Sequence, residues 1–237
     1  MVEYRIQSGI LGLDPLMEGG FVKGSTNLLA GQTGTGKTIF GIQYLLFGLR
    51  EGESCVYISL EQSVEDIFSD MDKFGWRDEL LSYISKGKLI IHYQHPSSIS
   101  ELKDITNNLV KRINAKRFVL DSLSIASMGW KESSLDVGKI RASLFDYIMS
   151  LKRFGTTSLL ITEIQESDIK SLSRLGIEEF IVDGVIVLHY LEYAAGGTPR
   201  SLIIRKMRRT AHGSDVYPLD ISNDGIKLLP VKKEIDI

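Results

Sequence analysis

The chain has 237 residues, carries 28 Lys plus Arg against 30 Asp plus Glu for a formal net charge of −2, and is 43% apolar, which excludes a disordered, collagenous or disulfide-stapled class. At this length folding buries roughly 70% of the unfolded surface, so a full core needs no staple, and the near-zero charge speaks against a dominant nucleic-acid surface. The single Cys55, the lack of a signal-peptide pattern, and the lack of any run near the about 20 apolar residues of a membrane span predict a cytoplasmic protein with no membrane partner.

In chain order, residues 27–30 form the first short β-type run, and residues 38–50 follow with helical spacing. A second strand is predicted over 56–60, with Cys55 buried at its start, and a helix over 64–74. Strands are expected at 89–93 and 118–121 around a helix over 99–114, and residues 122–136 read as a polar loop. A helix over 137–154 places Ile140, Leu144, Tyr147, Ile148 and Leu151 on one face, and strands follow at 158–162 and 185–189. These strands are continuously apolar, as strands buried on both faces are. Their alternation with helices predicts an α/β fold with a mostly parallel twisted sheet flanked by helices. After about Asp183 the helices stop, and three β-type runs, including 201–207 and 216–221, predict an antiparallel C-terminal extension of that sheet. No linker-like tract interrupts the chain, so residues 1–230 are expected to form a single domain and 231–237 a charged tail.

The first strand runs into Gly31-Gln32-Thr33-Gly34-Thr35-Gly36-Lys37-Thr38, which matches the phosphate-loop pattern G-x-x-x-x-G-K-[ST] at every position. Glycines let the backbone turn sharply and aim several N–H groups at phosphate oxygens, and the helix that follows presents an anion-favouring N-terminus. Lys37 is expected on the β- and γ-phosphates and Thr38 on Mg²⁺. Nucleoside triphosphate binding follows from this motif and its strand-and-helix context.

A Mg²⁺-holding carboxylate belongs at the end of a later buried strand, and Phe118-Val119-Leu120-Asp121 supplies Asp121. The next residue is Ser122, not Glu, so a water-activating base must come from elsewhere. Glu61, at the C-terminal end of the second strand, stands where an open parallel sheet gathers its ligand groups. It either deprotonates the attacking water or caps the following helix alongside Ser63. Glu163 and Gln165 end a further strand and either sense the γ-phosphate or are simply solvated. No guanine-reading Asn-Lys-x-Asp occurs, so adenine is favoured by elimination.

Together these residues resemble the KaiC-like branch of the RecA superfamily over nearly the whole chain. The resemblance is carried by 8–14 and 19–25 ahead of the phosphate loop, by 51–61 ending in Glu61, by 175–185, and by Lys206-Met207-Arg208-Arg209-Thr210-Ala211-His212, which is similar to a K-x-R-G-T-x-H block. It implies a RecA-like P-loop ATPase core and a homo-oligomeric ring, usually a hexamer, with ATP or ADP between neighbouring subunits. It further implies that Lys206 and Arg208 act across the interface on a neighbour's γ-phosphate, that Thr210 and His212 face that nucleotide, and that Ser222 and Asn223 lie close to its base or ribose. Three departures stand out. Glu61-Gln62 replaces a pair of glutamates, which implies slow hydrolysis; Arg209 stands where the family has Gly; and the clock protein has two such domains where one is read here. Glu178-Glu179 lies near where the clock protein's second domain has phosphorylatable Ser and Thr, so no autokinase switch is expected.

The leading reading is a KaiC-like, Mg-dependent, slow ATPase acting as a ring-forming nucleotide switch with an unidentified protein partner. A RadA- or RadB-type recombination ATPase on single-stranded DNA is the alternative, not favoured at this charge, and a nucleotide-binding scaffold with little hydrolysis is a third. His92 and His95 lack a second ligand pair for a structural metal, and Trp76 and Trp130 read as packing or loop residues rather than base-stacking platforms.

Overall fold

In the computed structural model the described residues are 4–131, 137–164, 172–173, 176–190 and 199–230. The chain opens with β1 (Arg5–Ile6), which pairs antiparallel with β2 (Phe21–Val22) in a two-residue ribbon. The main body follows as β3 (Thr26–Gly31), α1 (Lys37–Arg50), β4 (Cys55–Ser59), α2 (Val64–Asp72), α3 (Arg77–Ser85), β5 (Leu89–Tyr93), α4 (Ile99–Ile113) and β6 (Arg117–Asp121). It continues as α5 (Leu123–Lys131), α6 (Val137–Arg153), β7 (Thr157–Glu163), α7 (Glu178–Ile181), β8 (Gly184–Tyr190), β9 (Arg200–Met207), β10 (Tyr217–Ser222) and β11 (Gly225–Leu228).

Nine of the strands form one sheet in the order β11-β10-β9-β8-β3-β7-β6-β4-β5. Strands β8, β3, β7, β6, β4 and β5 run parallel, and β9, β10 and β11 extend the sheet antiparallel from β8. Parallel neighbours need helical crossovers, which cover both faces. The two faces carry separate cores, and β6 shows the period: Val119 points into one with Tyr44 and Tyr57, while Phe118 and Leu120 point into the other with Leu144 and Tyr147. Two helices, α2 and α4, start where serine hydroxyls take up orphan amides: Ser63 accepts from the Asp66 N–H and Ser98 from the Glu101 N–H.

Every strand predicted from the apolar runs forms, within one or two residues of its expected ends. The segment expected as a polar loop differs, because Leu123–Lys131 is a helix. Its serines made it read as a loop, yet the hydroxyls bond inside the fold: Ser124 bonds the Thr162 hydroxyl and accepts from the Glu163 N–H, and Ser127 donates to the Ser124 carbonyl. Residues 132–136, the Trp130 side chain and the tail 231–237 lie outside the described residues. Helix α3 carried no apolar stripe to betray it, since Leu80 is its one buried residue. Trp76 is buried and stacks on Phe74, ring centres 4.9 Å apart.

One buried cation ties the N-terminal segment, α1 and β6 together. Arg117, 2% exposed, pairs its Nε with Glu53 Oε2 and donates from Nη1 to the carbonyls of Gln7 (2.8 Å) and Tyr44 (2.9 Å). Its guanidinium lies 4.6 Å from the centre of the Tyr44 ring. Gly48 makes the space, because a Cβ there would overlap the Arg117 side chain. Arg117→Met leaves these carbonyls and Glu53 without their donor and is expected to lower the unfolding free energy by about 3 to 5 kcal/mol. Urea denaturation measures it, and a loss below about 1 kcal/mol, the value of an exposed ion pair, would contradict the assignment.

Candidate nucleotide-binding site

The parallel registers bring the C-terminal ends of β3, β7, β6 and β4 to one edge: Gly31 pairs with Glu163, and Ser59 with Asp121. The phosphate loop leaves β3 there and turns through Gly34 (φ 77°) and Gly36 (φ 97°) into α1, a left-handed conformation that side chains resist. A cavity of about 540 Å³ opens over this edge, within the range of small-molecule sites. Lys37, Thr38, Glu61, Asp121, Glu163 and Arg200 face it near the loop. Phe74 and Ile221 line it elsewhere, and Gln62 donates to Asp70 at 3.0 Å on its rim.

Lys37 bends back on its own loop, donating to the carbonyls of Gly31 (3.0 Å) and Gln32 (2.9 Å), with Glu163 Oε1 at 3.9 Å. Burial lowers its pKa, and the carboxylates of Glu163, Asp121 and Glu61 oppose that. Both bonds are to neutral carbonyls, which an anionic phosphate oxygen can replace. The loop is braced from both sides. The Thr35 hydroxyl donates to the Gln32 carbonyl at 2.7 Å, and Arg200 Nε donates to the Gly34 carbonyl at 3.0 Å.

Asp121 is 6% exposed and accepts on Oδ2 from the Thr38 hydroxyl (2.7 Å) and the Tyr57 hydroxyl (2.6 Å). Burial raises its pKa, and these two hydrogen bonds lower it. A carboxylate and a hydroxyl oxygen side by side form the hard donor pair that suits Mg²⁺. Glu61, which is exposed at the cavity edge, accepts from the Ser122 hydroxyl. Desolvation raises its pKa as well, against the Ser122 hydrogen bond. Helix α2 is capped by Ser63, and the Glu61 carboxylate faces the cavity instead. Gln165 lies outside the described residues.

The basic block lies elsewhere. β9 is antiparallel to β8, pairing Arg200 with Tyr190 at the cavity end and Met207 with Gly184 at the other. The seven steps between put Lys206 and Arg208 roughly 23 Å from this chain's own phosphate loop, at about 3.3 Å per residue. Lys206 Nζ donates to the carbonyls of Glu179 (2.9 Å) and Val182 (2.7 Å), and Arg208 Nη2 donates to the Phe180 carbonyl at 3.3 Å. Burial lowers the Lys206 pKa, helped by Arg208. Thr210 and His212 follow at the same end, where His212 Nδ1 lies 2.9 Å from the Gly213 carbonyl.

Ser222 and Asn223 do not join them. Ser222 ends β10 and Asn223 opens the turn after it; β10 runs antiparallel to β9 and so returns to the cavity end, where Ile221 lines the cavity. The expected grouping of Thr210, His212, Ser222 and Asn223 around one neighbouring nucleotide therefore divides on this chain, because β10 separates the pairs. Sequence reasoning also missed Tyr57, whose hydroxyl signals nothing inside an apolar strand, and Arg200, which belongs to no motif. Among the described residues no group of three or more His, Cys, Asp or Glu is set to hold a metal ion by itself, and no helix is long and apolar enough to cross a membrane. His92 and His95 contact Gln94 and Tyr93 instead.

A family model described as ATPase: KaiC matches residues 6–233. The circadian clock oscillator protein KaiC of Synechococcus elongatus is 31% identical over 96% of this chain and 44% of its own length, so the chain spans under half of that relative. The UPF0273 protein PH0284 of Pyrococcus horikoshii is 32% identical over 96% of this chain and 95% of its own. The crystal structure of the KaiC-like protein PH0186 from Pyrococcus horikoshii superposes with a TM-score of 0.83, at 39% identity, over 97% of this chain and all of that one.

The Asp121 contacts generate a direct test. Tyr57→Phe removes one charge-assisted donor from a buried carboxylate while leaving the ring's packing, and should cost about 1.5 to 3 kcal/mol of stability. Chemical denaturation of the nucleotide-free protein reads it, and wild-type stability would show that the hydroxyl carries no weight.

Proposed function

This chain belongs to the KaiC ATPase family, and from that premise we propose that it binds Mg·ATP between neighbouring subunits of a homo-oligomeric ring, a hexamer on the family's pattern, hydrolyses it slowly, and works as a cytoplasmic nucleotide switch for a protein partner. The observation that carries this reading is the separation along β9: Arg200 touches the chain's own phosphate loop, while Lys206 and Arg208 stand at the opposite end of the sheet. Cations this far from their own chain's phosphates suit a role at another copy's. A head-to-tail contact that closes into a ring presents each subunit's basic edge to its neighbour's cavity.

In this reading the loop amides and Lys37 hold the β- and γ-phosphates, with the ammonium exchanging the Gly31 and Gln32 carbonyls for phosphate oxygens. Mg²⁺, held by Thr38 and Asp121, supplies charge neutralisation at the phosphates. Glu61, oriented by the Ser122 hydroxyl, takes the proton of a water that attacks the γ-phosphorus, and the bond to the β–γ bridging oxygen breaks as ADP leaves. Arg208 and Lys206 of the adjacent copy stabilise the charge spread over the transferring group. Turnover is slow because Gln62, which cannot accept a proton, stands beside a single carboxylate. Ser222 and Asn223 stand at the cavity end of β10, beside Ile221 and nearer the chain's own nucleotide than the neighbour's. Thr210 and His212 face the neighbour's.

Complementation tests the arrangement. Arg208→Ala and Glu61→Gln each should lower ATP turnover, Arg208→Ala by about 10³-fold or more if it acts as an arginine finger. Mixed together, the two variants should regain part of the activity, because some junctions pair an intact Glu61 with an intact Arg208. No recovery in mixtures that still co-assemble would overturn catalysis across the interface.

A further inference from the structure

We propose that Arg5, on the first strand of the chain, is a positioning residue for the trans-acting block: it clamps the turn after β9 so that Arg208 and Thr210 are held in register for the neighbouring subunit's nucleotide. The inference rests on the reading of Arg208 as acting across an interface.

The geometry is a guanidinium fork closed on consecutive residues. Arg5 Nη1 donates to the Thr210 hydroxyl at 2.7 Å, and Arg5 Nη2 donates to the Arg209 carbonyl at 2.9 Å. Thr210 Oγ1 in turn donates to the Arg208 carbonyl at 3.3 Å, so the chain of hydrogen bonds ends on the backbone of the proposed finger. Nη2 also pairs with Glu18 Oε2 at 2.9 Å, and the Arg5 side chain is only 15% exposed. The fork itself is fixed by the ribbon it sits on: Arg5 pairs with Val22, and Gly20, at φ 127°, leaves room that a Cβ would take from the Ile6 carbonyl.

The turn needs such a clamp. Arg209 is held at φ 60°, a left-handed conformation costing a non-glycine residue about 1 to 2 kcal/mol, a cost that contacts made by the turn must offset. The Arg208 side chain is 51% exposed, and among the described residues its contacts are a long 3.3 Å bond to the Phe180 carbonyl and a 3.8 Å approach to Asp183. Its position is set mainly through its backbone, which the Asp183 carbonyl holds on one side at 2.9 Å and the Arg5 fork on the other. A planar fork meets two acceptors at once, which a lysine ammonium on a flexible stem does not reproduce.

The test compares Arg5→Ala and Arg5→Lys with wild type in ATP affinity, turnover and melting temperature, and then mixes each with Glu61→Gln subunits. Expected is unchanged ATP affinity with turnover down between about 10- and 100-fold, the scale of a small misplacement of a catalytic group. Arg5→Lys should fail to restore it, and Glu61→Gln subunits, whose own Arg5 and Arg208 are intact, should rescue it. Should Arg5→Ala not fold, Arg5→Lys carries the test, since it keeps a cation beside Glu18. Wild-type turnover in Arg5→Lys, or a loss that mixing does not rescue, overturns the clamp. The mixture of Arg208→Ala with Glu61→Gln serves as the control: recovery there with unaffected Arg5 variants sinks the clamp alone, and no recovery there sinks the interface reading and the clamp together.

Discussion

A carboxylate buried at the end of a central strand is tolerable only when donors surround it, and Asp121 has two hydroxyls on one oxygen, Thr38 from α1 and Tyr57 from β4. Stripped of them, the ionised group would face a desolvation penalty of several kcal/mol. The same strand begins with the opposite charge under the same rule. Arg117 is buried at its start and bonds the Tyr44 carbonyl on α1. α1 is thus fastened to β6 at both ends, by an anion near its first turn and a cation further along. The phosphate loop is the short segment between β3 and that fastened helix, so its conformation is set before any ligand arrives.

Glycine content follows from this fastening. Gly41 lies where α1 crosses the sheet, and a Cβ there would stand 3.1 Å from Val119 and 3.2 Å from Ile161. Gly48 yields to the Arg117 side chain. Each glycine inside a helix costs roughly 1 kcal/mol of helix propensity, and here the loss is offset by letting the helix lie against buried groups that hold it in place.

Much of this was legible in the sequence because continuous apolar runs and a phosphate loop leave few alternatives: β3 through β8, α1, α4 and α6 fall where their runs and spacing put them, and Asp121 and Glu61 sit at the strand ends that face the cavity. What stayed hidden is what depends on partners distant in sequence. α5 read as loop because its serines look solvated until Thr162 and the Glu163 amide are seen to bond them. Arg209 looked anomalous in place of a glycine, and it adopts the left-handed φ a glycine would take, held by Arg5 from 204 residues away. The division of Ser222 and Asn223 from Thr210 and His212 needed the direction of β10, which periodicity does not contain.

The charge around the cavity argues for what lies outside the chain. Three cations, Lys37, Lys73 and Arg200, face four carboxylates, Glu61, Asp70, Asp121 and Glu163, so the lining is net negative where a triphosphate, itself strongly anionic, would sit. Lys73 is also drawn toward Asp70, at 3.8 Å, which leaves Lys37 and Arg200 nearest the loop. An anion held among carboxylates needs positive charge from elsewhere, and two sources suit the site: a divalent ion beside Thr38 and Asp121, and cations from another copy. On the proposed reading this deficit is functional. A subunit alone holds nucleotide without the charge needed to stabilise its transition state, so hydrolysis waits on the neighbour's Lys206 and Arg208, and the state of the assembly, rather than the occupancy of one site, sets the rate.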